Sequence, residues 1–241
     1  MPPQNTADLC GCESTGAKAA SARSDAPPIE EYYSKLFSAY GPQHWWPGRS
    51  AFEIIVGAVL VQNTAWVNAA KAIAQLRAAR MLSWEAMNQA SPEEIAGLIK
   101  PSGYYTQKAR TLKAFCAFLE KEYGGSLKKM WATAAIHTRQ KLLSVHGLGP
   151  ETVDSVLLYA GNQPVFPVDA YARRMLVRHG WIEENAKYDD VRAIFEGAFP
   201  GDAGRLNEMH ALIVHTGKHF CRKQKPLCSE CPLGGLLEEG R

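Results

Sequence analysis

The chain has 241 residues, with 27 lysines and arginines against 24 aspartates and glutamates, a formal net charge of +3. Apolar residues make up 46% and charged residues 21%, so the class is globular, with material for one large domain or two small ones. The mild basic balance excludes a histone-like or basic-tail protein and permits a nucleic-acid partner only where charge clusters on one face.

Residues 1–28 are Ala, Ser, Pro and Gly with scattered charge and no apolar core. They read as a flexible leader, not a secretory or other targeting signal, which fits a cytoplasmic protein. No later stretch reaches the roughly 18 unbroken apolar residues of a membrane helix, so no membrane partner is expected. From Ile29 onward the apolar spacing is helical. Glu30 to Tyr40 forms a first helix, and His44-Trp-Trp-Pro-Gly-Arg-Ser50 is a loop broken by Pro47 and Gly48. Ser50 suits the N-cap of Ala51 to Gln62, with Glu53 placed for a capping box and a nearly all-apolar run expected to be buried. Asn68 to Ala79 and Ser83 to Gln89 follow. Ser91-Pro-Glu-Glu94 is a strong helix start, ended by Pro101-Ser-Gly103. Tyr105 to Tyr123 is a long amphipathic helix stopped by Gly124-Gly125. Thr138 to Ser144, Glu151 to Ala160, Ala170 to His179, Asp189 to Ala198 and Leu206 to His219 complete the set. No alternating strand pair occurs, so the fold class is all-α.

The most informative stretch is Leu142-Leu-Ser-Val-His-Gly-Leu-Gly-Pro-Glu-Thr-Val-Asp-Ser-Val156. A helix ends, Gly147-Leu148-Gly149 turns the chain, and a second helix starts at Pro150. Glycines permit strained dihedrals and close approach. Free N–H groups at the positive end of the second helix form an anion site that a DNA phosphate fits, although an ordinary helix–turn–helix link has the same signature. Beyond it, Pro164-Val-Phe-Pro-Val carries the chain inward to Asp169, which is also placed to cap the helix from Ala170.

Val145-His-Gly-Leu-Gly-Pro-Glu-Thr152 and Val168-Asp-Ala-Tyr-Ala-Arg-Arg174, with Asp169 18 residues after Glu151, resemble the endonuclease III superfamily of helix-hairpin-helix DNA glycosylases. The resemblance runs from about Tyr32 to Cys231. It includes Leu60-Val-Gln-Asn-Thr64 and Gly103-Tyr-Tyr-Thr-Gln-Lys-Ala-Arg110, which are similar to segments lining the DNA cleft of that family. The resemblance implies a base-excision glycosylase acting on double-stranded damaged DNA, with Asp169 as the carboxylate that stabilises an oxocarbenium-like sugar. The base must leave the stack to reach such a site. Bifunctional members carry a Schiff-base lysine two residues after the second hairpin glycine. Here that residue is Glu151, which implies hydrolysis by a monofunctional enzyme. Glu151 is either a direct participant or simply a first-turn acid favoured by the helix dipole.

His44-Trp45-Trp46-Pro47 is similar to the 3-methyladenine branch, where an aromatic-Pro segment walls the base pocket. Alkylated purines are cationic, and stacking on electron-rich rings suits them; packing between domains is the alternative role for Trp45 and Trp46. By resemblance Gln62 fills the hole left by the flipped base, with Asn63 beside it. Lys108, Arg110, Arg173 and Arg174 are candidate phosphate contacts, or solvated surface charges.

Six cysteines are present: Cys10, Cys12, Cys116, Cys221, Cys228 and Cys231. Without a secretory signal a disulfide framework is not expected, and Cys116 sits on an apolar helix face as core packing. Cys221-x6-Cys228-x2-Cys231 matches three ligands of the family's [4Fe-4S] loop, with Leu237 in the fourth place. Four alternatives remain: a ligand from Cys10 or Cys12, one from His215 or His219, a three-Cys, one-His zinc site, or a loop packed without metal. Arg222, Lys223 and Lys225 add a basic patch there.

The expected organisation is a monomer of two helical domains with the DNA cleft between them: residues 50–160 as a central bundle, and 29–49 joined to 161–241 as the other. The expected reaction is release of an alkylated purine. The rivals are a glycosylase and AP lyase acting on oxidised pyrimidines, and a damaged-DNA-binding module without catalysis.

Overall fold

Local chemistry starts and stops the helices as the residue types require. In the computed structural model, which describes residues 26–237, Ser50 Oγ accepts the Glu53 N–H at 3.1 Å and begins α2 (Ala51–Leu60). Ser83 does the same for α4 (Trp84–Gln89). Ser91 and Glu94 close a full capping box on α5 (Pro92–Leu98), with Glu94 Oε2 accepting the Ser91 N–H at 2.7 Å. Such caps each contribute about 1 kcal/mol. Glu53 does not close its box. Its buried carboxylate turns instead to Arg77 Nη2, 2.6 Å away on α3 (Trp66–Ala78).

The described residues form α-helices throughout, with no strand. Besides those named, α1 spans Ile29–Tyr40, α6 Tyr105–Tyr123, α7 Leu127–Trp131, α8 Ala135–Leu143, α9 Pro150–Ser155, α10 Ala170–Arg178, α11 Tyr188–Ala198 and α12 Ala203–His219. None is long and apolar enough to cross a membrane. The left-handed Gly124 ends α6, its N–H returning to Glu120 O at 2.8 Å.

Two elements depart from the sequence expectation. The five-residue α7 carries too little of a 3.6-residue period to register, although Ser126 caps it. The helix expected over Glu151 to Ala160 is α-helical only to Ser155 and then widens into a π turn over Val156–Ala160. Such turns are rare and gather at functional sites.

The π turn lies where two apolar cores meet. The first joins α2, α3, α5, α6 and the hairpin and ends with Val156, Leu157 and Val165. The second joins α1, α10, α11 and α12 and takes the adjacent Leu158, Tyr159 and Phe166. Trp46 packs against both. Phe166 and Phe195 stack at 3.9 Å between centroids in the second core. The junction therefore fixes Asp169, three residues past Phe166, against the hairpin.

Candidate active site

The hairpin turn joins α8 to α9. Gly147 has φ +84, and a Cβ there would lie 1.9 Å from Thr111 Oγ1 on α6. Only glycine lets the turn lie this close to α6. Gly149 caps α9 with ordinary extended backbone, and its missing side chain would meet nothing. Leu148 contributes less than expected to an anion site: its side chain is buried and its N–H donates to Val145 O at 3.1 Å. The N–H groups that open α9 are those of Gly149, Glu151 and Thr152.

Asp169 caps α10. Its Oδ1 accepts the Ala172 N–H at 2.7 Å, and its Oδ2 lies 3.6 Å from His210 Nε2 on α12. The link before it is tied down twice. Val168 N–H donates to Tyr188 Oη at 3.0 Å, and that hydroxyl donates to Asp154 Oδ2 at 2.9 Å. Asp154, fully buried in α9, is forked by Arg139 Nε and Nη2 at 2.6 and 3.1 Å. Phe166 N–H donates to Glu196 Oε1 at 3.0 Å. Hairpin and carboxylate thus share one hydrogen-bonded frame.

Glu151 opens α9 and faces the same site. Loss of solvation, and then the charge on Asp169, push its carboxyl from 4.5 up to about 7. The residue is exposed, so solvent screens part of this effect, but both causes favour the protonated form. Near neutrality one of the two carboxyls is therefore poised to hold or release a proton.

An aromatic group connects to Asp169 through Tyr159 and His210. Trp46 meets Trp66 edge-on at 5.2 Å and Tyr159 at 5.1 Å, Trp45 meets Trp66 at 5.6 Å, and Lys218 Nζ lies 5.8 Å above Trp45. Pro47 is exposed. Trp66 was not singled out from the sequence because the helix was expected to begin at Asn68, whereas α3 begins at Trp66.

Of the expected DNA contacts, that of Lys108 is corrected. Lys108 is buried, with Nζ donating to Leu60 O at 2.9 Å and Ser102 O at 2.7 Å, so it caps α2 and cannot reach a phosphate. Arg173 donates to Ala186 O at 2.6 Å, and Arg174 to Cys221 O at 2.7 Å. Arg110 is exposed. Gln62 lies just beyond α2, not within it. Its amide donates to Thr152 Oγ1 at 2.8 Å and Gly147 O at 3.2 Å, bridging to the hairpin. Asn63, exposed, has φ +53. Tyr104, 69% exposed with φ +46, stands out where the sequence reading weighed only Lys108 and Arg110.

Residues 56–200 match the family described as HhH-GPD superfamily base excision DNA repair protein. The chain belongs to this superfamily. A Methanocaldococcus jannaschii member named as a DNA repair glycosylase is 42% identical over 207 residues, covering 85% of this chain and 93% of its own. Endonuclease III of Thermotoga maritima is 30% identical over 211 residues, covering 87% and 92%. Among solved structures, the H. pylori 3-methyladenine DNA glycosylase bound to 1,N6-ethenoadenine superposes with a TM-score of 0.70 at 27% identity, covering 79% of this chain and 97% of that one. Endonuclease III in a non-covalent DNA complex gives 0.74 at 23% identity, covering 88% and 94%, a likeness of fold.

The cysteine loop of this HhH-GPD chain departs from a four-thiolate set. Cys221, Cys228 and Cys231 line a cavity of about 10 Å³ together with Leu237 and His179; His215 and His219 do not line it, His215 lying tilted against Tyr40 at 4.4 Å and His219 against His215 at 4.5 Å. Arg178 Nη1 donates to Cys221 Sγ at 2.9 Å. Burial pushes the Cys231 thiol up, and the neighbouring Cys221 and Cys228 add to this. Among the described residues no group of three or more His, Cys, Asp or Glu is arranged to hold a metal. Cys10 and Cys12 lie outside the described residues. Among the described residues the loop supplies three thiolates where a [4Fe-4S] cluster takes four, and no step below passes through one.

Proposed function

We propose that the chain is a monofunctional DNA N-glycosylase that extrudes a damaged base from double-stranded DNA and releases it by hydrolysis. The observation that carries this reading is the carboxyl pair: Asp169, held at the N-cap of α10 on the hairpin frame, and Glu151 with its carboxyl raised to about 7. Asp169 stabilises the positive charge that develops on the sugar as the glycosidic bond breaks. Glu151 takes up or passes on the proton of the attacking water. A carboxylate at this position forms no Schiff base, so strand cleavage by that route is absent.

The N–H groups at the start of α9 hold a phosphate beside the extruded nucleotide. Gln62, released from Gly147 and Thr152, turns to the orphaned partner base. DNA lies between the two helical bodies, residues 50–160 on one side and 29–49 with 161–241 on the other, and one copy of the chain suffices. The substrate is an alkylated purine. Supporting this are the aromatic group of Trp45, Trp46 and Trp66, linked to Asp169 through Tyr159 and His210, and the 27% identity to a 3-methyladenine DNA glycosylase.

Purified protein incubated with alkylated DNA should liberate 3-methyladenine or related bases and leave abasic sites. Borohydride should trap no protein–DNA adduct. A trapped adduct would refute the monofunctional reading. Release of oxidised pyrimidines alone would replace the substrate.

A further inference from the structure

His210 interrupts the buried face of α12, between Leu206 and Ile213, and is itself only 6% exposed. Its Nδ1 is paired with the Tyr159 hydroxyl, and its Nε2 is buried with no hydrogen-bond partner among the described residues. That orphaned nitrogen faces Asp169 Oδ2 at 3.6 Å, beyond hydrogen-bond range. Asp169 Oδ1 is already occupied by the Ala172 N–H, so Oδ2 is the oxygen left to act.

The tautomer follows from the surroundings. Burial, with the charges of Asp169 and Glu208 adding, drives the Tyr159 phenol well above its ordinary range, so it keeps its proton and donates. Nδ1 therefore accepts, and the ring proton of a neutral imidazole sits on Nε2. Burial lowers the pKa of His210 and opposes a second proton, although Asp169 works against this. The π turn at Val156–Ala160 is what carries Tyr159 into this position.

We propose that His210 is a positioning residue for base excision: held by Tyr159 as the Nε2–H tautomer, it supplies the N–H that hydrogen-bonds Asp169 Oδ2 when DNA closes the site. The bond fixes the carboxylate toward the sugar, and a hydrogen bond to an ionised oxygen favours the charged form. The inference rests on the assignment of Asp169 above. The ionisable groups acting on the pair are Glu151 from α9, which interacts with Asp169, and Tyr159 from the π turn, which also feels Glu208 of α12; Arg173 and Arg174 of α10 are turned away onto backbone carbonyls.

The test is the single-turnover rate of base release against pH, with DNA affinity measured in parallel. His210→Phe, which fills the site without an N–H, should lower the rate roughly tenfold near neutrality and move the acid limb up by about one pH unit, with DNA affinity unchanged. Tyr159→Phe, which frees the tautomer, should move the limb the same way by less. His210→Gln, which retains an N–H donor, should recover most of the rate and the original limb. An acid limb unmoved in His210→Phe, or no recovery in His210→Gln when both are folded, overturns the proposal and leaves Asp169 in its role. Full activity of Asp169→Asn in the same assay would instead remove the reading on which the inference stands.

Discussion

Replacing Gly147 by alanine tests whether the hairpin is held against α6 by the absence of a side chain. The residue sits at φ +84, and left-handed backbone costs an L-residue about 1–2 kcal/mol. The new Cβ would fall 1.9 Å from Thr111 Oγ1, a buried hydroxyl tied to Gln107 O at 3.1 Å. Relieving that overlap adds about 1–3 kcal/mol. Loss of unfolded-chain entropy returns about 0.4–1 kcal/mol, for a net cost of about 1–4.6 kcal/mol. Urea denaturation by linear extrapolation reads this directly. In a Thr111→Ala background the Oγ1 overlap falls away, leaving the backbone strain and a tight 3.0 Å contact with the residue 111 Cβ, so the double-mutant cycle should give a coupling of about 1–3 kcal/mol. A Gly147→Ala cost below about 0.5 kcal/mol, or a cycle without coupling, would refute the packing argument.

Three further outcomes follow from the site. Lys108→Met leaves the carbonyls of Leu60 and Ser102 unsatisfied and should cost about 1–3 kcal/mol of stability. It should leave the salt dependence of DNA binding unchanged, whereas loss of a phosphate contact would reduce that slope by about 1. The Glu151 carboxyl binds its proton more tightly when folded, at about 7 against 4.5. Its contribution to stability is therefore complete below pH 4.5 and lost as pH rises through 7. The melting temperature of the protein relative to Glu151→Gln should fall across that window, and a flat difference contradicts the raised carboxyl. Metal analysis of the Cys10→Ala/Cys12→Ala protein should give fewer than four irons per molecule, because among the described residues three thiols and Leu237 leave a cluster one ligand short. Four irons in that protein would contradict the expectation.

Most helices were legible from the sequence because cap and period agree: Ser50, Ser83 and Ser91 accept the bonds their positions promised. Asp169 was legible as a cap, and the hairpin before it marked it as the candidate carboxylate. What stayed hidden is tertiary. A lysine in a cleft-like segment reads as a phosphate contact until its stem is seen buried and its Nζ spent on two carbonyls. The frame of Arg139, Asp154 and Tyr188 joins residues far apart in sequence, and only the lone Asp154 in an apolar run hinted at it. His210 left the same hint, a polar break in the buried stripe of α12. The π turn leaves no mark in the periodicity, yet it sets Tyr159 against His210.

The central claim is that Asp169 carries the chemistry on the hairpin frame. The direct measurement is the single-turnover rate of base release by Asp169→Asn, on a damaged duplex that the unaltered protein processes. The neutral amide still occupies the cap of α10, so folding and DNA affinity should persist while the rate falls by at least about a hundredfold. Base release at the unaltered rate would contradict the account.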